Sequence, residues 1–386
     1  MPFEHVHRSN AWCDHYSFRL PAVASGSRGS APVRLMPIAS VGGPMKRIGF
    51  LSFGHWSNAP GSQTRTAADS LLQHVELAVA AEEIGIDGAF LRVHHFARQL
   101  ASPFPLLSAM AARTSRIELG TAVIDMRYEN PLYMAEEAAA ADLISGGRLQ
   151  LGISRGSPEP ALRGYEAFDH VPADGHSDAD LAREHADRFR AAIAGEPVVD
   201  ADPAMAGTRG RLAIQPQSPS LAERIWWGAG TRSTAVWTAE QGMNLMSSTL
   251  LTEDTGAPFA ELQLEQIARY REAWEALGHP REPRVSVSRS VLPITSDLDR
   301  AYFGREAGSR EMTGWLDGGI ARFGKTYAGE PDRIAEELRG DVAVTAADTI
   351  MLTIPNQLGV EYNARLLATV AEHIAPAIGW QQRAAS

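Results

Sequence analysis

Short blocks of apolar residues alternate along this chain with longer stretches in which apolar residues recur every three or four positions. Apolar blocks that are bounded by glycine predict buried parallel strands, whereas the longer period predicts helices with one buried face. From Ile48 onward the two kinds of segment follow each other in regular order. The pattern predicts eight strand–helix units.

The predicted strands cover residues 48–53, 86–96, 116–124, 148–154, 224–228, 243–247, 284–294 and 349–354. The predicted helices cover residues 66–84, 103–113, 131–144, 176–194, 231–241, 258–277, 331–338 and 361–378. Residues 195–222 are expected to form an excursion. Residues 295–330 are expected to form a long, partly helical connection that can act as a lid.

Eight strand–helix units in sequence predict an α/β fold of the (β/α)8 TIM barrel type with insertions. A doubly wound α/β sheet is the alternative. That fold usually has a glycine-rich phosphate-binding turn after its first strand, and no Gly-x-Gly-x-x-Gly sequence follows Phe53. The barrel is therefore the favoured architecture.

The first 44 residues differ from the rest in composition. They contain several prolines and the Ser25-Gly26-Ser27-Arg28-Gly29-Ser30 run, and they have no sustained apolar period. This composition predicts a disordered N-terminal extension. Met45 would be a natural start, so residues 1–44 are interpreted as a disordered extension or a misassigned start, and residues 45–386 as the barrel.

Composition excludes several classes of protein. The chain of 386 residues has a net charge of −10, which argues against non-specific nucleic-acid binding. No apolar run reaches the roughly 18 residues that a membrane span needs. Cys13 is the only cysteine, which excludes a disulfide framework and a cysteine-based zinc site. The expected location is the cytoplasm.

Two adjacent histidines, His94 and His95, end the second predicted strand. The carboxyl ends of the strands form the face of a barrel that carries its chemistry. Because successive strand residues point to opposite faces, only one histidine of the pair can face a given pocket, and no metal site is predicted. The alternative is one histidine packed behind the strand and one in solvent.

The loops after the fourth and fifth predicted strands suggest a phosphate site. The helix after the fifth strand begins at Thr231, where free N–H groups and the helix dipole favour an anion, and Arg155 can add positive charge. In the alternative, Thr231 or Ser233 caps the helix and Arg155 pairs with a surface carboxylate. The convergence of both loops favours phosphate. The candidate residues are Arg155, Gly156, Ser157, Gly230, Thr231, Ser233 and Thr234.

In combination, several short motifs indicate a family. From Met45 onward the chain resembles the bacterial-luciferase-like superfamily of flavin-dependent monooxygenases, although residues 295–330 match poorly. The motifs are His94-His95-Phe96, Leu119-Gly120-Thr121-Ala122-Val123, Asn130-Pro131, Ser145-Gly146-Gly147-Arg148 and Gly152-Ile153-Ser154-Arg155-Gly156.

The resemblance implies roles for individual residues. His94 matches the histidine near the reactive edge of the flavin, and an ordinary imidazole pKa would suit it to proton transfer. Ala122 and Val123 match a non-proline cis peptide on which the flavin ring rests. The residues that match positions around the FMN phosphate are Arg155, Ser157, Thr231 and Thr234.

The resemblance also implies an activity. Reduced FMN, supplied by a separate flavin reductase, would react with O2 and oxygenate a small organic substrate, and the chain would form a homodimer. Val93 stands where the family often has Glu, and Ser247-Ser248 stands where luciferase has an aromatic residue. Both departures argue against light emission.

Three other functions remain open. One is a deazaflavin-dependent oxidoreductase of the same superfamily, which transfers hydride without oxygen. Another is a metal-dependent hydrolase, although the only His-x-His sequence, His5 to His7, lies before any predicted strand. The third is a non-catalytic flavin-binding subunit, against which the presence of His94 counts.

Four further side chains are predicted to border the substrate pocket: His55, Trp56, Phe96 and Tyr128. Packing at the rim of the barrel is the alternative. Two carboxylates of the third loop, Asp125 and Glu129, are expected to lie in solvent.

Overall fold

A computed structural model describes residues 46–156, 159–207, 209–316 and 319–382. The expected disorder of residues 1–44 and the predicted role of Ser157 lie outside these described residues.

Eight parallel strands form a closed barrel, as predicted. Each strand pairs with the next along the chain, and β8 pairs with β1 to close the ring. The strands are β1 (Arg47–Ser52), β2 (Gly88–Leu91), β3 (Glu118–Asp125), β4 (Leu149–Ser154), β5 (Ile225–Ala229), β6 (Asn244–Ser247), β7 (Val285–Pro293) and β8 (Thr349–Thr353).

A helix follows each strand and covers the outside of the barrel. The helices are α1 (Ala67–Ile84), α2 (Pro103–Arg113), α3 (Pro131–Ser145), α4 (Asp178–Ile193), α5 (Arg232–Glu240), α6 (Phe259–Leu277), α7 (Pro331–Arg339) and α8 (Gly359–Thr369). Local chemistry explains their starts. Thr66 and Asp69 form the predicted capping box of α1, and Thr231 caps α5. After α8 the chain continues helically to Ile378.

The insertions lie where they were predicted, but their content was partly mispredicted. Residues 195–222 contain the short strands Val199–Asp200 and Arg211–Leu212 and the one-turn helix Pro203–Ala206. The 295–330 connection begins with the helix Asp297–Phe303 and then forms a hairpin of Met312–Leu316 and Gly319–Phe323. Thr326–Gly329 then pairs with β7 as a ninth parallel strand. Short apolar runs of this kind fit helix and strand equally well, so periodicity could not reveal the hairpin.

The remaining short elements connect these units. They are the 3₁₀ turns Gly164–Phe168, Pro219–Arg224 and Asn356–Leu358, the strand Leu250–Leu251 and the helix Val342–Ala346. The second predicted strand was too long, because β2 ends at Leu91. His94 and His95 therefore lie in the loop that follows it.

Phe90 fills the centre of the barrel. Its fully buried ring packs in a cluster with Leu51, Trp226, Met246 and Met351. Three glycines make room for the ring: a Cβ atom would lie 2.7 Å from Phe90 at Gly49, 2.5 Å at Gly88 and 3.0 Å at Gly120. Ala122 and Val123 pack against the same cluster. The cluster therefore forms a floor across the barrel beneath its carboxyl end.

The first prediction tests this floor. We expect Gly88→Ala to lower the free energy of unfolding by about 1–3 kcal/mol, because the new methyl group overpacks the core against the Phe90 ring. Phe90→Leu in the same chain should recover part of that loss, since the three atoms nearest to this Cβ all belong to the Phe90 ring. Urea denaturation of the single and double variants measures both values.

Gly120→Ala is the matched control. Its Cβ would lie 2.1 Å from the backbone oxygen of Gln150, so a smaller side chain at position 90 cannot relieve the main clash. If Gly88→Ala lowers the free energy of unfolding by the same amount with Phe90 as with Leu at position 90, the proposed packing is contradicted.

Candidate active site

A cavity of about 470 Å³ opens at the carboxyl ends of the strands, directly above the Phe90 floor. Leu51, Met246 and Met351 form its base, and the loops after β2 to β6 form its walls. Seven of the predicted cofactor residues line it: Ala122, Val123, Arg155, Gly156, Gly230, Thr231 and Thr234. Ser233 is exposed and is absent from the lining. The structure thus brings both predicted loops to one cavity.

One wall of the cavity is an apolar platform. The peptide bond between Ala122 and Val123 is cis, as the family resemblance implied. Both residues are partly exposed, whereas the remaining residues of β3 after Glu118 are buried, and the pairing of β3 with β4 shifts register at this point. Gly228 of β5 leaves the side of the platform open, since a Cβ there would lie 3.1 Å from Val123. A planar ring can rest on such a surface.

Another part of the wall is polar and partly cationic. Thr231 Oγ1 accepts a hydrogen bond from the Thr234 backbone N–H at 3.1 Å, so Thr231 caps α5 and also lines the cavity. The Arg155 side chain is 39% exposed and its Nη1 lies 3.7 Å from Asp178 Oδ1. Both alternatives considered for this loop pair, capping and anion binding, are therefore compatible with the observed geometry.

Arg183 is a cavity residue that sequence reasoning missed. It extends from α4 into the lining, with its guanidinium 4.9 Å above the ring of Trp237. A cation held over an indole face is well placed to meet an anion. Several arginines occur in α4, and the sequence alone does not show which of them faces the cavity.

His94 lies behind the cavity wall. It is absent from the lining, whereas Arg92 and Glu159 belong to it. The His94 side chain is 7% exposed, and its Nε2 accepts a hydrogen bond from Arg92 Nε at 2.8 Å. Its Nδ1 lies 3.0 Å from Glu159 Oε1, although the angle is outside hydrogen-bond geometry.

The expected ordinary pKa of His94 was wrong. Burial, with a smaller contribution from the Arg92 charge, lowers the pKa of His94 to about 3. Low-dielectric surroundings disfavour the charged imidazolium, because the protein replaces only part of its lost hydration. His94 is therefore neutral at physiological pH.

Glu159 was also missed by sequence reasoning. It lies in the same loop as Arg155, and its side chain is 3% exposed. Burial raises the pKa of Glu159 to about 8, against the opposing effects of the His95 backbone N–H and the Arg92 and Arg127 charges. The only sequence signal was a carboxylate four residues after Arg155. The residue thus places a protonated carboxyl group at the cavity near neutral pH.

The prediction that Asp125 is solvated was wrong. Asp125 is 2% exposed and accepts hydrogen bonds from Arg127 Nη2 at 2.6 Å and Nε at 3.0 Å. Burial raises the pKa of Asp125 to about 6 despite the adjacent Arg127. Gly156, at φ +87°, accommodates this carboxylate, because a Cβ there would lie 1.9 Å from Asp125 Oδ2.

Glu129, the other carboxylate expected in solvent, is half-buried. Burial raises the pKa of Glu129 to about 7, with further contributions from Glu137 and Asp125.

The four predicted pocket residues lie outside the lining of this cavity. Tyr128 is buried with its ring 4.2 Å from the His95 ring, and Phe96 packs at its exposed edge. His55 stacks on Phe53, and Trp56 lies under the guanidinium of Arg98. These contacts agree with rim packing, and a substrate role for these residues stays a prediction.

The described residues contain no cluster of three or more histidine, cysteine, aspartate or glutamate side chains that could hold a metal ion. Within the same residues, no helix is both long and apolar enough to cross a membrane.

Comparison with known proteins gives a consistent match. The family model of luciferase-like monooxygenases matches residues 45–341. Among solved structures, monooxygenase RslO1 from Streptomyces bottropensis superimposes with a TM-score of 0.63 at 22% identity, over 86% of this chain and 99% of that chain. The oxygenating constituent of 3,6-diketocamphane monooxygenase from Pseudomonas putida, solved with FMN, gives 0.61 at 15% identity, over 88% and 100%. At these identities the two structures show the fold alone.

Curated relatives match over shorter segments. The chain is 36% identical over 90 residues to 4-hydroxyprotoasukamycin monooxygenase of Streptomyces nodosus subsp. asukaensis, which covers 23% of this chain and 24% of the relative. The oxygenase component of the trigonelline monooxygenase of Acinetobacter baylyi is 31% identical over 110 residues (28% and 30%). The F420-dependent glucose-6-phosphate dehydrogenase of Amycolatopsis mediterranei is 34% identical over 100 residues (24% and 30%). Each match spans less than a third of the relative's length.

The second prediction concerns the buried histidines. Burial is the main cause that lowers the pKa of His95 to about 4 in the folded protein. In the unfolded chain the pKa of a histidine is near 6.5. Between these two pH values His95 is neutral when the protein is folded and protonated when it is unfolded. Unfolding therefore binds protons between these values, and stability falls as the pH falls from about 6.5 to about 4. We expect His95→Gln to make this loss of stability shallower in urea denaturation across that range.

His176→Gln is the control for this measurement. His176 is exposed and pairs with Glu184. If stability depends on pH with the same slope in His95→Gln as in His176→Gln, the buried neutral state of His95 is contradicted.

Proposed function

Because the chain belongs to the luciferase-like monooxygenase family, we propose that it is a monooxygenase that uses reduced FMN and O2 to oxygenate a small organic molecule. The observation that carries the proposal is the pairing, in one cavity, of the Ala122–Val123 platform with a polar wall at the start of α5. A flavin mononucleotide has the same two parts, which are a planar ring system and a phosphate monoester.

The residues present fit this cofactor. The apolar platform and the methionine-rich base offer surface to a tricyclic ring, and the ring can approach closely because Gly228 has no side chain. The phosphate would be held by Arg155, Arg183 and the hydroxyls of Thr231 and Thr234. When bound, reduced FMN supplies the electrons that activate oxygen.

The chain's own residues would then provide a dry, oriented environment. The floor beneath the cavity excludes water from below, and burial keeps His94 neutral beside the protonated Glu159. Low-dielectric surroundings strengthen each hydrogen bond made to the reacting centre and slow the escape of reactive species into water.

A separate reductase is part of the proposal. The chain has no Gly-x-Gly-x-x-Gly fingerprint after its first strand, so we infer that reduced flavin comes from another protein. The names of two similar proteins support this division of labour, since one is an oxygenase component and another an oxygenating constituent.

A deazaflavin-dependent hydride transfer is the second candidate. An F420-dependent dehydrogenase matches part of the chain at an identity similar to that of the monooxygenases. The platform and the cationic wall would serve a deazaflavin as well, since that cofactor also joins a flat ring system to a phosphate.

The third prediction separates these two candidates. We expect anaerobic titration to show tight binding of reduced FMN, and subsequent mixing with O2 to give a transient change in absorbance that free reduced FMN does not give. Preference for reduced deazaflavin and indifference to O2 would establish hydride transfer instead. Binding of neither cofactor would contradict both candidates.

The fourth prediction tests the phosphate site. We expect Arg183→Gln to weaken FMN binding about tenfold to a hundredfold, because a charge-assisted hydrogen bond contributes roughly 1.5–3 kcal/mol. Riboflavin, which lacks the phosphate, should bind wild type and variant equally. Fluorescence quenching of both ligands measures the four affinities.

Arg188→Gln, which changes an exposed arginine of the same helix, is the control. An equal loss for riboflavin would show that Arg183 holds the ring or the fold.

A further inference from the structure

Three polar side chains form a row at the cavity wall. Its two ends, Arg92 and Glu159, line the cavity, and His94 lies buried behind the wall between them. Arg92 Nε donates to His94 Nε2 at 2.8 Å, and His94 Nδ1 lies 3.0 Å from Glu159 Oε1. Glu159 belongs to the cavity lining and His94 does not. The group of this row that can meet a bound molecule is therefore the carboxyl group, together with Arg92.

The available donors fix where the protons are. The Arg92 N–H can only donate, so Nε2 of His94 is the acceptor and a neutral His94 carries its proton on Nδ1. Nδ1 is in contact with Glu159 Oε1, although the angle is outside hydrogen-bond geometry. The carboxyl group accepts the backbone N–H of His95. Its other oxygen, Oε2, is buried and makes no hydrogen bond within the described part of the chain. Because Oε1 is the oxygen left to accept the His95 N–H, a protonated Glu159 carries its proton on Oε2, where no acceptor among the described residues competes for it.

We propose that Glu159 is the catalytic residue that exchanges a proton with the bound reactants, and that His94 is a positioning residue that holds it. This inference rests on the proposed function and assigns the proton transfer to a different side chain from the one that the family resemblance implied. In the forward step the O–H bond of Glu159 breaks, its electron pair stays on the carboxylate, and the proton passes to an oxygen or nitrogen atom in the cavity. Solvent at the cavity mouth restores the proton.

The surroundings suit a carboxyl group that changes its charge. Arg92 lies on one side, and Arg127, from the loop after β3, is the other cation that acts on Glu159. The other titratable groups nearby are the neutral His94 and His95, Tyr128, and Asp125, whose charge is paired with Arg127. The two arginines stabilise the carboxylate after it releases the proton, while burial keeps the resting group protonated.

The first experiment needs no cofactor. Infrared spectra of the purified protein at pH 7.5, above the pKa values of about 6 for Asp125 and about 7 for Glu129, should contain a protonated-carboxyl C=O band that is absent from Glu159→Gln. Glu166→Gln, an exposed carboxylate of the same β4–α4 connection, should retain the band. In wild type the band should disappear as the pH rises through about 8. Identical bands in wild type and Glu159→Gln would overturn the proposal.

Stability gives a second readout in the same samples. Because the folded-state pKa of Glu159 is raised, its contribution to stability is fully present below the unfolded value near 4.5 and is lost as the pH rises to about 8. Glu159→Gln should therefore become more stable relative to wild type as the pH rises over this range. A difference that does not change with pH would overturn the proposal. If Glu159→Gln does not fold, Glu159→Met, an apolar side chain of similar length, replaces it.

The reaction with bound reduced FMN tests the role. We expect wild-type turnover to fall as the pH rises through about 8, and Glu159→Gln to be slower by about 10²–10⁴-fold with no such fall. His94→Asn can still accept from Arg92, so the fall should remain but move to another pH. The opposite result is that turnover no longer decreases with rising pH in His94→Asn but still does so in Glu159→Gln. That result would assign the proton to His94 and overturn the proposal.

These outcomes separate the two hypotheses. If wild type binds neither flavin, the proposed function fails, while the infrared and stability data still report on Glu159. If wild type binds reduced FMN and reacts with O2 but Glu159→Gln keeps full activity and the wild-type pH profile, only the assignment of Glu159 fails.

Discussion

The packing of one aromatic ring inside the barrel determines where this protein can have a site. A closed ring of eight parallel strands must fill its interior with side chains, and here Phe90 does so with Leu51, Trp226, Met246 and Met351. Glycines in β1, β2 and β3 bring three strands close to the ring. Because the filled layer ends below Ala122 and Val123, the carboxyl end of the barrel remains open. The cavity is the space that this packing leaves.

The cavity has two electrostatically different sides. At one side Arg155 is substantially exposed, and Thr231 and Thr234 bring hydroxyl groups to the cavity from the start of α5. Water can reach these groups, so the desolvation cost of a charged group is small there. At the other side His94 and Glu159 are almost fully buried, and the cost of desolvation keeps both neutral. In the proposed function, this difference would orient a ligand that has an anionic end and an uncharged ring.

The proposed function depends on this division. In that proposal the platform and the polar side hold a flat ring that bears a phosphate, which flavins and deazaflavins share, and the buried, uncharged side supplies the proton transfer. In this chain Glu159 and Asp125 are the carboxyl groups on that side, and both have raised pKa values.

The amino-acid sequence by itself determined the fold and the loops that meet at the cavity. Periodicity placed the eight strands and their helices, the residues that start α1 and α5 were visible as caps, and the loops around Arg155 and Thr231 were expected to converge because parallel strands end on one face. The sequence could not show burial. His94 was expected to titrate normally and Asp125 to lie in solvent, whereas the folded chain removes both from water. Glu159, Arg92 and Arg183 are ordinary charged residues in the sequence. Only tertiary structure brings them to one cavity, because their contacts join segments that are distant along the chain and their charge states depend on the desolvation that those contacts create.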